Sequence, residues 1–141
     1  MVDQARPVVL LLARIAIGAI FLVHGYQKFA TMGIAGTTKF FESAGIPLAG
    51  LAAPGVAVLE VVGGLALILG AALPIAGALL ALDMIGAIVF VHGPNGFGAG
   101  DGGYEFVLAL GAASLAVGFT GGGAFALDSV LSRRRTAPAI A

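Results

Sequence analysis

The chain alternates long apolar stretches with short polar or glycine-rich connections. Four of the stretches come close to the length of a membrane span, at Pro7–Ala30, Ala53–Leu73, Ile75–His92 and Tyr104–Thr120. A helix rises about 1.5 Å per residue, so about 20 apolar residues cross a hydrocarbon core roughly 30 Å thick. The pattern therefore predicts an all-α integral membrane protein, a bundle of four transmembrane helices forming one domain over residues 1–141.

The composition supports this class. Apolar residues make up 60% of the 141 residues and charged residues only 10%, against about 45–50% and about 25% in soluble domains. A chain this short cannot bury so much apolar surface in its own core, so we expect a lipid bilayer as its partner. Net charge is zero and the charges are scattered, which gives no reason to expect nucleic-acid binding. The absence of cysteine excludes disulfides and thiolate metal sites.

Two connections are long enough to carry structure of their own. The segment from Thr37 to Gly45 predicts a short helix in the first external loop, lying at the membrane interface with Phe40 and Phe41. The segment Gly93–Gly103 has six glycines in eleven residues. It lacks the Lys-Ser/Thr pair of a phosphate-binding loop, and we interpret it as a tight connector.

The distribution of basic residues predicts the orientation, because cytoplasmic loops are enriched in Lys and Arg. Arg6 and the run Arg133-Arg134-Arg135 flank the first and last spans on one side of the membrane. The opposite loops hold Lys39, with Lys28 at the membrane edge. With four spans, both termini are expected in the cytoplasm.

Part of the sequence is repeated. Ala13–Phe29 aligned on Ala81–Phe97 gives identity at nine of seventeen positions, including Ile-Gly-Ala-Ile and Val-His-Gly. Each of these two spans is followed by one that carries a glutamate, Glu60 or Glu105. The simplest interpretation is two parallel helical hairpins, with shared sites at their interface.

Ionisable residues inside the spans are the candidate functional residues, because such residues are costly in a membrane and usually face the bundle interior. Depth counted along the helices suggests an inner ion pair between Arg14 and Asp83, whose role we expect to be structural. It also suggests an outer polar cluster, the candidate ligand-binding residues His24, Lys28, Glu60, His92 and Glu105.

The role of the outer cluster stays open between a structural lock and a ligand or proton site. The histidines could simply donate to carbonyls or carboxylates.

The face of the first helix is also predicted. Arg14, Gly18, Phe21, Gly25 and Lys28 are spaced three or four residues apart and form one stripe along a helix. The stripe is polar and small, as buried helix contacts in membranes are. We therefore expect it to face protein and not lipid.

The ordered set of these motifs resembles the DoxX family over nearly the whole chain, from about Arg14 to Leu131. The residues that carry the resemblance are Arg14, Gly18, Phe21, His24-Gly25, Lys28-Phe29, Phe41, Gly45-Ile46-Pro47, Glu60, Gly64, Leu69-Gly70, His92, Phe97, Gly102-Gly103, Glu105, Gly121 and Ala126-Leu127-Asp128. The resemblance implies a four-helix protein of the bacterial inner membrane. It also implies a link to quinone-reducing thiosulfate oxidation, terminal oxidases or membrane oxidoreductase complexes, without an agreed cofactor motif.

Two functional hypotheses come first. In one, the chain is an accessory subunit of a respiratory or other electron-transfer complex, without catalytic activity of its own, and larger subunits pack on its small-residue faces. In the other, the outer cluster binds quinone or another small lipophile, with Glu60, Glu105, the imidazoles and Lys28 supplying protons near Phe40, Phe41 and Tyr104.

Two further hypotheses rank lower. A haem or metal site would use His24, His92 and the glutamates, but no Glu-x-x-His spacing occurs and we expect no metal. A small transporter would fit the parallel repeat and the buried charges. Four short helices make a thin permeation path unless the protein oligomerises.

Overall fold

The computed structural model describes residues 2–130, and this part of the chain is helical without strands. The helices are α1 (Val2–Tyr26), α2 (Gly33–Ser43), α3 (Ala49–Leu69), α4 (Leu73–Ala87) and α5 (Glu105–Phe119). A π-helical turn continues α1 over Gln27–Thr31, and another continues α4 over Ile88–His92. Two 3₁₀ turns, Gly93–Asn95 and Ala99–Asp101, form the glycine-rich connector. The run Arg133-Arg134-Arg135 lies outside the described residues.

Three helical segments are long and apolar enough to cross a membrane: Val2–Thr31, Ala49–Leu69 and Leu73–Asn95. The fourth, Glu105–Phe119, is apolar but has 15 residues. The helices begin earlier than we predicted, at Val2 and Ala49, because Pro7 and Pro54 lie inside α1 and α3 and do not open them. Leu73 and Pro74 likewise belong to the first turn of α4, because α3 already ends at Leu69 with Gly70 in a left-handed conformation.

Helix α1 packs along α3 through glycines. The buried residues of α1 are Arg14, Gly18, Phe21 and Gly25, so the predicted stripe faces protein. A Cβ added to Gly18 would lie 2.5 Å from the carbonyl oxygen of Gly64. The two backbones can therefore touch only because both positions lack a side chain.

Helix α4 packs along α5 in the same manner. A Cβ on Gly77 would lie 2.5 Å from the carbonyl oxygen of Ser114, and a Cβ on Gly111 would meet Met84 at 3.1 Å. Helix α3 lies beside α4, where Leu80 packs on Gly63. The main core consists of apolar side chains from α1, α3, α4 and α5: Phe21, Leu67, Leu73, Ala76, Leu80, Met84, Val107, Leu110 and Val117.

Helix α2 lies against α3 and the π-helical turn of α1, and we call this end of the bundle the α2 end. The helix is longer than the predicted segment of residues 37–45. The buried hydroxyl of Thr37 donates to the carbonyl of Lys28 at 3.2 Å and to that of Gly33 at 3.0 Å. Phe41 packs with Ala49 and Ala53 in a second cluster. These contacts hold α2 over the segment that carries Lys28.

The segment after α5 closes the opposite end. The amide of Ala124 donates to the carbonyl of Pro7 at 2.9 Å, so the chain after α5 lies beside the start of α1. Asp128 accepts hydrogen bonds from the amides of Ala72 (2.9 Å) and Leu73 (3.0 Å). Asp128 therefore supplies the N-terminal cap of α4, as a carboxylate at a helix start commonly does.

The expected ion pair between Arg14 and Asp83 is not formed, and that prediction was wrong. Arg14 is fully buried, donates from Nη2 to the carbonyl of Ala124 at 2.8 Å and lies against Gly70. Asp83 lies one turn beyond Leu80, which packs on Gly63, two turns of α3 away from Gly70. By the rise of a helix the two side chains differ in depth by roughly 15 Å. Counting depth from the helix ends failed because α1 extends further than α4.

Candidate functional site

The α2 end of the bundle contains a cavity of about 420 Å³, which we call the polar cavity. It is lined by residues of all five helices and of both π-helical turns. Of the predicted outer cluster, His24, Lys28, Glu60 and His92 line it. Asp83, which we had expected in the inner layer, lines it as well.

Lys28 and Glu60 form the ion pair at the centre of the site. Nζ of Lys28 lies 2.6 Å from Oε2 of Glu60, and the two side chains are 14% and 5% exposed. Within residues 2–130 it is the one salt bridge closer than 4 Å. The pair joins α3 to the π-helical turn that follows α1, and this turn offers the carbonyl of Lys28 to Thr37. Such turns break the regular hydrogen-bond ladder and often occur at functional sites.

Asp83 lies near this pair without bonding to it. Glu60 and Lys28 are close enough to interact with it electrostatically. Its buried Oδ2 atom has no hydrogen-bond partner in the described part of the chain. Polar groups buried in this way are nearly always hydrogen-bonded, so an unpartnered carboxylate oxygen in a cavity wall is a point where a ligand or water can bind.

The two histidines differ in their contacts. Nδ1 of His92 donates to the carbonyl of Gly102 at 2.8 Å, which leaves Nε2 of a neutral ring as an acceptor. The ring is thus held by the connector between α4 and α5. His24 lies on α1, one turn before Lys28, and lines the cavity from that side.

Glu105 does not join the site. One of its carboxylate oxygens accepts from the backbone amide of Ala99 at 3.1 Å, inside the glycine-rich connector. Tyr104, which we had expected near the cluster, packs edge-to-face on Phe97 with ring centroids 5.4 Å apart. Both residues stabilise the connector, because α5 begins at Glu105 and its first turn faces this loop.

The walls of the polar cavity are mainly apolar and aromatic. Five phenylalanines line it, from α1, α2, the second π-helical turn and α5: Phe21, Phe40, Phe41, Phe90 and Phe106. The sequence predicts Phe40 and Phe41 beside the polar cluster and Phe21 on the protein-facing stripe of α1, but it gives no signal for Phe90 and Phe106, since isolated phenylalanines can equally face lipid. Asp83 could have been found by counting depth from its helix's outer end, where it lies roughly level with Glu60.

The cavity reaches the apolar surface of α4. Leu79 and Leu82 line it and are 45% and 63% exposed, so they face the hydrocarbon region in a membrane. Gly86 lies on the same side of α4, one turn beyond Leu82, and a Cβ there would meet nothing within 4 Å. A small lipophile dissolved in the bilayer could therefore reach the polar groups without crossing water.

The described residues contain no group of three or more His, Cys, Asp or Glu side chains arranged to hold a metal ion. The chemistry available in the cavity is that of carboxyl, ammonium and imidazole groups beside aromatic rings. Such groups donate and accept hydrogen bonds and protons.

Comparison with known proteins gives a consistent family. The chain is 40% identical to "Putative oxidoreductase CatD" of Bacillus subtilis over 118 residues, covering 84% of this chain and 83% of that protein. It is 34% identical to the uncharacterized membrane protein Rv3486 of Mycobacterium tuberculosis, covering 88% of this chain and 82% of that protein. The inner membrane protein YphA of Escherichia coli is 44% identical over 66 residues, 47% of this chain and 46% of that protein.

No solved structure matches the chain. The sequence model of the DoxX family matches residues 9–93, which include most of α1, all of α2 to α4 and four of the five groups predicted for the outer cluster. Together with the apolar helices, these matches identify the chain as a membrane protein. The protein belongs to the DoxX family.

Proposed function

We propose that the protein is a membrane component of an oxidoreductase system and that it binds a quinone or a similar small lipophile in the polar cavity. The observation that carries the proposal is the cavity itself, in which Lys28, Glu60, Asp83 and the two histidines meet an aromatic wall. Its volume of about 420 Å³ lies within the range of small-molecule sites, about 300–1,000 Å³.

The chemistry of a quinone suits these groups. A quinone ring is flat, apolar on its faces and polar at two carbonyl oxygens, and its reduction takes up two electrons and two protons. Phenylalanine rings can pack on its faces, and carboxyl, ammonium or imidazole groups can bind its oxygens. The lipid-exposed side of the cavity at Leu79 and Leu82 gives a membrane-soluble ligand a route from the bilayer.

The electrons would come from a partner oxidoreductase. The name of the CatD relative, which carries the term oxidoreductase, supports a link to redox chemistry. The chain has no cysteine, and the described residues contain no cluster of three or more His, Cys, Asp or Glu side chains placed to hold a metal ion. We therefore propose an accessory role beside a redox partner, tested by purification in mild detergent at native expression and mass spectrometry of the subunits. Recovery of the chain without any redox protein would contradict this role.

We also propose the four-span topology and the two-hairpin repeat. Support comes from the pairing of α1 with α3 and of α4 with α5, each pair joining a helix that carries His-Gly near its end to one that carries a glutamate. The polar cavity draws residues from both pairs, as expected of a site at the interface of two repeats.

Substitution of Gly86 tests ligand binding. Gly86 lines the cavity and a Cβ there meets nothing within 4 Å, so Gly86→Phe should fill the cavity without displacing the packed helices. The protein is reconstituted into nanodiscs of quinone-free synthetic lipid and exposed to decylubiquinone. The retained quinone is then measured by chromatography against empty nanodiscs. We expect saturable binding by the unaltered protein and at least tenfold weaker binding by Gly86→Phe.

The matched control is Gly55→Phe. Gly55 also lies in a helix, is exposed, and has nothing within 4 Å of an added Cβ, but it does not line the cavity. We expect this variant to bind decylubiquinone like the unaltered protein. No retention above empty nanodiscs, or equal binding by both phenylalanine variants, would overturn the proposed site.

A further inference from the structure

Asp83 is the carboxyl group of the cavity that takes part in no hydrogen bond or ion pair in the described part of the chain. Its Oδ2 atom is buried and unpartnered in the described part of the chain, and its carboxylate forms no ion pair there. A buried acceptor without a partner destabilises the folded protein, and more so if it is charged. A buried carboxylate oxygen of this kind in a cavity wall gains a hydrogen bond when a ligand or a water molecule enters the cavity.

Lys28, Glu60 and His92 are already bonded at least in part, whereas His24 lines the cavity without a hydrogen bond in the described part of the chain. Nζ of Lys28 is bound to Glu60 at 2.6 Å, and Nδ1 of His92 is bound to the carbonyl of Gly102 at 2.8 Å. Two carboxyl groups, Glu60 and Asp83, therefore share the cavity with one lysine. An anionic ligand would add a further negative charge to a region of low dielectric constant, where like charges repel strongly.

We infer that Asp83 binds the oxygen of the ligand's polar group, and that this ligand is an uncharged ring compound carrying carbonyl or hydroxyl oxygens. When protonated, the carboxyl group donates to a carbonyl, as in a quinone. When ionised, it accepts from a hydroxyl, as in the hydroquinone form. The Lys28–Glu60 pair positions α1 against α3 beside it. This inference rests on the proposed function and names the residue that sets the ligand specificity of the polar cavity.

The test compares ligands with and without oxygen on Asp83 variants. Asp83→Leu keeps the approximate size of the side chain and removes its hydrogen-bonding atoms, whereas Asp83→Asn keeps them. Decylubiquinone and decylbenzene share the alkyl chain and a six-membered ring, and decylbenzene lacks the two carbonyl oxygens, the two methoxy groups and the ring methyl group. We expect Asp83→Leu to weaken binding of decylubiquinone at least tenfold, the equivalent of one hydrogen bond to a charged or polar partner. Its binding of decylbenzene should stay within twofold of the unaltered protein, and Asp83→Asn should retain most of the affinity for decylubiquinone.

Charge selectivity gives a second readout. We expect 1,4-naphthoquinone to bind at least tenfold more tightly than 1,4-naphthoquinone-2-sulfonate, and this ratio to fall in Asp83→Asn, which removes a carboxylate. Helix content by circular dichroism and a monodisperse elution profile establish that each variant is folded. Equal loss of decylubiquinone and decylbenzene in both Asp83 variants would assign Asp83 a purely structural role and overturn the inference.

The outcomes separate this inference from the proposed function. If the unaltered protein binds decylubiquinone, Gly86→Phe abolishes binding and Asp83→Leu binds normally, the cavity is a quinone site and the role of Asp83 is wrong. If the unaltered protein retains no quinone, the proposed function and the role of Asp83 are both wrong. If Asp83→Leu loses only the oxygen-bearing ligand, both stand.

Discussion

At the residue scale, the Lys28–Glu60 pair is the charged contact at the centre of the cavity. Both side chains lie mostly out of contact with solvent or lipid, and Nζ and Oε2 are 2.6 Å apart. Removing one partner of a buried pair leaves the other charge uncompensated, which costs about 3–5 kcal/mol. Removing both leaves neither member of the pair as an uncompensated charge, and the cost is then much smaller.

This difference gives the first prediction. We expect Lys28→Met to lower the free energy of unfolding by about 3 kcal/mol, and Lys28→Met combined with Glu60→Gln to recover at least half of that loss. Unfolding is followed by circular dichroism while SDS is titrated into mixed micelles. Lys39→Met, at an exposed lysine of α2, is the control and should leave stability unchanged. Equal losses in the single and the double variant would show that the pair is not coupled.

At the level of residues, the sequence correctly predicts features that depend on the geometry of one helix. The stripe Arg14, Gly18, Phe21 and Gly25 follows from helical periodicity alone and forms the buried face of α1. Predicting the partner of a residue on another helix requires the relative depth of the two residues in the bundle. That depth depends on how far each helix extends at either end. Arg14 was therefore assigned to Asp83, although its hydrogen bond goes to the carbonyl of Ala124 in the segment after α5.

At the element scale, pairs of facing glycines set the spacing of the helices. The carbonyl oxygen of Gly64 lies 2.5 Å from a Cβ added to Gly18, and the carbonyl oxygen of Gly18 lies 2.6 Å from a Cβ added to Gly64. Close backbone approach favours helix association in membranes through van der Waals packing, because the lipid tails are as apolar as the side chains and burial of apolar surface gives no driving force. The position of Lys28 beside Glu60 depends on this contact, since both lie on the same two helical segments.

Two glycine substitutions separate packing from helix propensity. We expect Gly18→Ala to destabilise the protein by about 1–3 kcal/mol, because the added methyl group must displace α3. Gly55→Ala adds the same methyl group at an open position of α3 and should be neutral or stabilising by up to about 1 kcal/mol. The same SDS titration measures both variants. Similar effects at the two positions would mean that the close contact does not determine stability.

The sequence predicted the existence and type of these elements better than their ends. Apolar length predicts the segments of α1, α3, α4 and α5, but Pro7 and Pro54 wrongly predict helix starts, since both lie within helices. The π-helical turns at Gln27–Thr31 and Ile88–His92 were not predicted. Such turns depend on tertiary contacts such as that of Thr37 with the carbonyl of Lys28, which no local pattern reveals.

At the scale of the whole molecule, the bundle is closed differently at its two ends. At the α2 end, α2 and the glycine-rich connector surround the polar cavity. At the opposite end, the segment after α5 binds the start of α1 through Ala124 and Pro7, and the start of α4 through Asp128. We propose that the end closed by the segment after α5 faces the cytoplasm. The polar cavity then lies in the outer half of the membrane.

The absence of native cysteine makes this orientation directly testable, since every introduced thiol is unique. Gln4→Cys and Leu127→Cys mark the end at which α1 begins, and Ser43→Cys and Gly100→Cys mark the α2 end; all four positions are exposed. In intact spheroplasts, a membrane-impermeant maleimide should label the variants at Ser43 and Gly100 and spare those at Gln4 and Leu127. All four should react after lysis. The pair Gly100 and Leu127 tests whether α5, with only 15 residues, separates the two sides. Labelling of both in intact spheroplasts would show that α5 does not cross the membrane. Labelling of Gln4→Cys and Leu127→Cys alone would show that the bundle is inverted, with the polar cavity on the cytoplasmic side.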